Sequence, residues 1–207
     1  SDFSIATQTN GTLWSWGRST YGQLGLSNTT SYSSPKQIGA LTTWSKVTTG
    51  QLFALAVKTD GTIWSWGYNN YGQLGVGNTT NYSSPKQIGA LTTWSTIDAG
   101  WAFALAVTTG GALYAWGENG NGQLGIGNFT DKSSPNQIGA LTTWAITAGG
   151  RQHSLATTTG GALWSWGDNA YGQLGLNNTS GKLSPNQVGS NTTWLVVACG
   201  QYHTTAG

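Results

Sequence analysis

The 207 residues offer two histidines, one cysteine and six carboxylates to acid–base, nucleophilic or metal chemistry. His153 and His203 are the first candidates, since imidazole titrates near neutral pH. They stand in a slot that holds Phe3, Phe53 and Phe103 elsewhere in the chain. A slot that accepts Phe is a packing slot, so the histidines read as core. Glu118 and Asp168 occupy equivalent positions 50 residues apart. Paired carboxylates can divide acid and base roles, but on glycine-rich loops they read as solvated charges. Cys199 is alone, which excludes an internal disulfide. No CxxC, HExxH or Asp-rich calcium loop is present, so neither metal nor cofactor is expected. The recurring GQLG lacks the following Lys of a phosphate loop. These residues predict a protein that is not an enzyme.

Composition narrows the class further. Only 7% of residues are charged, against roughly 25% in an ordinary soluble domain. Disorder is excluded by 12 Trp, 8 Tyr and 4 Phe. The net charge of +2 comes from cations scattered singly, so no nucleic-acid footprint is expected. No apolar run is long enough for a membrane span. Abundant Gly, Ser, Thr and Asn suit short strands joined by turns.

The candidate residues are positioned by a repeat. Trp16, Trp66, Trp116 and Trp166 recur every 50 residues without insertion, and Pro35, Pro85, Pro135 and Pro185 keep step. "SSPKQIGALTTWS" is identical at 33–45 and 83–95. The units are 1–50, 51–100, 101–150 and 151–200, and 201–207 begin the first strand of a fifth. This surplus strand, with the absence of any Met, gives the expectation that the parent chain is longer or that chains self-associate.

Each unit reads as four strands: "FALAVKT" (53–59), "TIWSWG" (62–67), "PKQIG" (85–89) and "WSTIDAG" (94–100). "DG" at 60–61 marks a hairpin turn. Proline is placed at the start of strand three, where no ladder donor is needed. The Ala-rich face of strand one is assigned to the crowded centre of a ring. Four short strands per unit of this length predict an all-β propeller of four-stranded blades. Gly22, Gly72, Gly122 and Gly172 supply turn conformations closed to other residues. Gln23, Gln73, Gln123 and Gln173 are expected to bond loop backbone that the strands leave unpaired.

"WGYNNYGQLG" (66–75), "WGENGNGQLG" (116–125) and "WGDNAYGQLG" (166–175) share W-G-x-N-x-x-G-Q-L-G. The first unit has "WGRSTYGQLG" (16–25), with Ser19 in place of Asn. With the downstream Pro and the G-x-x-H-S-L-A string at 150–156, this resembles the repeat of the regulator of chromosome condensation family over the whole chain. The resemblance implies a propeller, commonly of seven blades, of which four repeats are present here.

If repeated positions are scaffold, positions that differ between units are free for recognition. Three sets differ: residues opening strand one, the residue after each Trp-Gly, and the loop tip before strand three. From the first two come Trp101, Arg151 and Tyr202, with Arg18, Tyr68, Glu118 and Asp168, as the candidate site. The predicted function is a non-enzymatic module for protein or glycan recognition or display. The sparse charge and the Asn/Thr/Ser richness place it outside the cell or on a virion surface. Two alternatives are an exchange-factor or chromatin-binding propeller like the family's namesake, and a secreted enzyme inhibitor.

Overall fold

Alternating Trp and small residues fold into antiparallel strands. The computed structural model describes residues 2–207 and contains no helix among them. The first sheet orders β1 (Phe3–Thr7), β2 (Leu13–Gly17) and β3 (Tyr32–Gln37). The second orders β4 (Trp44–Thr49), β5 (Phe53–Lys58), β6 (Ile63–Gly67) and β7 (Tyr82–Gln87). The third repeats this with β8 (Trp94–Ala99), β9 (Phe103–Thr108), β10 (Leu113–Gly117) and β11 (Lys132–Gln137). The fourth contains β12 (Trp144–Gly149), β13 (His153–Thr158), β14 (Leu163–Gly167) and β15 (Lys182–Gln187). β16 (Val197–Cys199) and β17 (Thr204–Ala206) form a separate pair. The chain is an arc of a β-propeller, with each blade cut out of phase with the repeat. A blade takes strand four of one unit and strands one to three of the next.

Two assignments are corrected by this arrangement. The innermost strand is strand four, not the Ala-rich strand one: β4, β8, β12 and β16 pack against one another in succession around the axis. The Ala face serves a different contact. Phe53, Leu55, Val57, Leu74 and Ile88 of one blade form a core with Ala104, Ala106, Trp94 and Trp116 of the next. Small residues on β9 leave room for the large face of β5, and the same pairing recurs at the junctions on either side. The inner strands carry Thr48, Thr49, Thr96 and Asp98, all half-buried. The second correction concerns Pro85, which lies inside β7 rather than at its start. β7 is an edge strand, so one face of its backbone needs no donor.

The repeated residues stitch neighbouring blades together. The indole Nε1 of Trp66 donates to the backbone carbonyl of Gln23 at 3.0 Å, that of Trp116 to Gln73 at 3.0 Å, and that of Trp166 to Gln123 at 2.9 Å. All three indoles are fully buried. The loop approaches closely only because Gly25, Gly75 and Gly125 carry no Cβ. A Cβ on Gly75 would stand 2.7 Å from Trp116 Nε1, and its φ of +69° disfavours other residues independently. Gln73 Oε1 accepts the Tyr71 N–H at 3.0 Å, holding the tight turn. Asn69 fills the centre of the loop. Its Nδ2 donates to the carbonyls of Asn78 and Thr80, and its Oδ1 accepts the Leu74 N–H. Ser19, at the matching place in the first unit, is fully buried with a hydroxyl that has no partner.

Two predictions follow from this stitching. Ser19→Asn restores the loop bonds of the other units and is expected to raise stability by about 1 kcal/mol, read as a higher urea midpoint. Gly75→Ala and Gly39→Ala share a left-handed backbone, but nothing lies within 4 Å of a Cβ at Gly39. Both lose about 1 kcal/mol or more from backbone strain. Gly75→Ala is expected to lose clearly more, because it also drives the loop off Trp116, and urea unfolding of the two variants measures the difference.

Candidate functional site

The turns joining inner strands to second strands build one end of the arc. In each, a glycine N–H closes on the residue three along: Gly50 on Phe53, Gly100 on Phe103, Gly150 on His153 and Gly200 on His203, at 2.9–3.0 Å. The glycines are required because the ring packs over them. A Cβ on Gly150 would lie 2.3 Å from the His153 ring, as one on Gly50 would lie 2.0 Å from Phe53. The two residues between are free to vary. Gln51 N donates to the Trp101 carbonyl and Trp101 N to the Gly150 carbonyl, linking successive turns.

The residue after each Trp-Gly joins the same surface. Tyr68 N bonds the Leu52 carbonyl, Glu118 N that of Ala102, and Asp168 N that of Gln152. Backbone pairing thus sets two of the three variable sets side by side. The third set is occupied otherwise. Asn81 Oδ1 and Asp131 Oδ1 accept the N–H of Asn69 and Asn119 at 2.7 Å, fixing the loop. Tyr82, Lys132 and Lys182 open outer strands.

Trp101, Arg151 and Tyr202 come together. The Arg151 guanidinium lies 4.9 Å from the Trp101 ring centroid and 5.4 Å from that of Tyr202, and it donates to the Tyr202 hydroxyl. Both rings remain substantially exposed. Trp101 and Arg151 line a cavity of about 280 Å³ at the end of the axis, walled by Gly50, Gly100, Gly150 and Gly200. Tyr68 lies in an adjoining cleft of about 190 Å³ that shares Gln51 and Trp101.

The remaining candidates separate. Glu118 faces Asp131 and Arg151; burial first, then the Asp131 charge, raises its pKa, and Arg151 opposes this. Asp168 instead accepts from Gln173 Nε2 at 2.8 Å and the Ala170 N–H at 3.2 Å. The two carboxylates have no shared partner and form no acid–base pair. Arg18 makes an exposed ion pair with Asp2 at 3.3 Å and lines neither cavity. Among the described residues, no three His, Cys, Asp or Glu gather as a metal site.

Tyr21 and Tyr71, which line the cleft, escaped the sequence analysis. Their position is Tyr in three units and Asn121 in the other, so a search for differences passes over it. Asp98 escaped too. On β8, next to the axis, its Oδ2 accepts the Gly149 N–H at 2.6 Å and its Oδ1 the Thr48 hydroxyl at 3.3 Å, tying three inner strands. Burial pushes its pKa up to about 6 against these bonds. His153 is fully buried without a well-formed hydrogen bond, and burial lowers its pKa to about 4 although the Asp168 charge opposes.

The blades and the repeated turns at their shared end define a β-propeller built from a tandem repeat. The regulator of chromosome condensation (RCC1) repeat matches residues 10–57, 60–107, 110–157 and 160–206, and the chain belongs to this family. Human WBSCR16 superposes with a TM-score of 0.89 at 26% identity, covering 99% of this chain and 55% of that one. Prp20p of Saccharomyces cerevisiae, described with its binding to Gsp1p and histones, gives 0.87 at 22% identity, covering 100% and 53%. The chain therefore spans about half the length of these structures. No curated protein sequence matches it.

The buried His153 and the half-buried Asp98 predict opposite pH dependences. The unfolded chain protonates His153 near 6.5 while the fold resists until about 4, so stability is lost as pH falls through that window. The fold protonates Asp98 near 6 and the unfolded chain only near 3.8, so stability is gained as pH falls between them. His153→Phe, which installs the residue of the first three units, removes an acid-labile contribution on the order of 2–3 kcal/mol. Relative to wild type, its melting temperature is expected to rise as pH drops from 7 to 4.5, while that of Asp98→Asn falls. Thermal melts of the three proteins across this range check both signs.

Proposed function

We propose that this chain is a non-enzymatic binding module whose axial end face grips a protein ligand through Trp101, Arg151 and Tyr202. One observation carries the reading: three residues at positions free to vary meet at the axial end, Trp101 and Arg151 lining its cavity and Tyr202 held against Arg151, on turns fixed by repeated glycines. Large aromatic rings and an arginine on a rigid frame suit an interface anchor, since they bury much area at little conformational cost. Arg151 is held in place by its two rings, so little side-chain freedom is lost on binding. The low charge and polar uncharged surface favour a setting outside the cell or on a virion. The scattered cations give no support for the histone binding described for Prp20p.

Selection of peptide or small-protein binders against the 207-residue chain tests this. Trp101→Ala and Arg151→Ala are each expected to weaken selected binders at least tenfold. Leu141→Ala, at an exposed position in the loop that bonds the Gly111 turn at the opposite end of the blade, is expected to leave them unchanged. Binders indifferent to both site variants would refute the reading.

A further inference from the structure

The cleft beside the axial mouth has a chemistry of its own. Tyr21, Tyr68, Tyr71 and Trp101 line it, with the amides of Gln51 and Gln73. The Tyr21 and Tyr68 ring centroids lie 4.8 Å apart with planes tilted by 59°, and Tyr68 and Tyr71 meet edge to face at 6.4 Å. No charged side chain contributes to the lining.

Gln73 is 1% exposed. Its Oε1 is spent on the Tyr71 N–H, but its Nε2 donates to none of the described residues. The matching Nε2 of Gln173 donates to Asp168, and those of Gln23 and Gln123 are sealed off in the core. Gln73 alone presents a free, nearly buried amide donor to a cavity. Such a donor is costly unless a ligand or water accepts from it.

The cleft is also unique to its junction. One blade further on, the places of Tyr68, Tyr71 and Trp101 are taken by Glu118, Asn121 and Arg151. The same scaffold is therefore aromatic and neutral here, and polar and charged there.

We infer that this cleft binds a single neutral pyranose ring of a glycan. A pyranose has apolar C–H faces that lie against aromatic rings, and a rim of hydroxyls that both donate and accept. The tilted tyrosines and Trp101 match the faces; the Gln73 donor, the Gln51 amide and the tyrosine hydroxyls match the rim. A volume of about 190 Å³ accommodates one six-membered ring but not an extended peptide. Ionic ligands find no counter-charge in the lining. The inference rests on the reading of this end face as a binding face, and adds a glycan subsite next to the protein-binding mouth.

Saturation-transfer NMR on the 207-residue chain, with methyl glucoside, galactoside, mannoside and N-acetylglucosaminide as probes, tests it. Transfer to at least one pyranoside is expected. It is expected to fall at least fivefold in Tyr68→Ala and to persist in Tyr202→Ala, whose ring touches Arg151 and Tyr171 and no residue of the cleft, which separates the cleft from the axial mouth. Gln73→Glu keeps the oxygen that accepts the Tyr71 N–H and removes the donor, and is expected to weaken transfer likewise. Circular dichroism confirms that each variant is folded. No transfer to any pyranoside, transfer undiminished in Tyr68→Ala, or displacement of the sugar by a proline-rich peptide from the same cleft would overturn the assignment. Loss in Tyr202→Ala but not Tyr68→Ala would also overturn it, while leaving the axial mouth as the binding site.

Discussion

The bond from a buried indole N–H to the main-chain carbonyl of the preceding unit's Gln is the contact on which the arc depends. It fixes the distance between blades, because the fully buried indole fills the space between sheets and its nitrogen is satisfied by that carbonyl. The acceptor is backbone, so its position is set by the loop rather than by a rotamer. The loop in turn is held by its own Asn and Gln side chains, and it approaches only because its last glycine presents no Cβ. A requirement of one nitrogen thus dictates several residues per unit. Trp16, the first of the series, is only half-buried.

With spacing fixed in this way, differences between units are left to positions outside the stitching. The short turns beyond Gly50, Gly100, Gly150 and Gly200 accept Gln, Trp, Arg or Tyr without cost to the core, because their backbone bonds do not involve side chains. The end face is accordingly varied in chemistry and uniform in geometry. An arginine flanked by aromatic rings and an uncharged aromatic cleft arise one blade apart on the same frame.

Most of the strand pattern was legible in the sequence, because Trp66 and Ser65 alternate and "DG" breaks the chain where β5 turns into β6. Their order from axis to rim was not. Small residues suggested the crowded axis, whereas Ala104 and Ala106 answer the large face of the adjacent blade. That contact depends on which sheets become neighbours, which no single strand declares. Strand three was read from Pro85 onward because proline is a poor ladder member; its edge position, known only once the sheet is assembled, removes the objection. At the end face, the variable residues Trp101, Arg151 and Tyr202 could be picked out individually. Their convergence came from the assembly of successive turns, with a backbone bond between the Trp101 and Gly150 turns and the Arg151 guanidinium against both rings. Tyr21 and Tyr71 recur like scaffold residues and do the work of a wall.

The phase shift between blade and repeat bears on how such a gene changes length. Each unit donates its last strand to the sheet of its successor, so a boundary between units runs through a blade. When unequal crossing-over inserts or removes one 50-residue period, at whatever point the exchange falls, every sheet it creates still receives one inner strand and three outer ones. The variable turns travel with the inserted segment. An array of this kind grows by copying and diversifies afterwards at the few residues that no neighbour constrains.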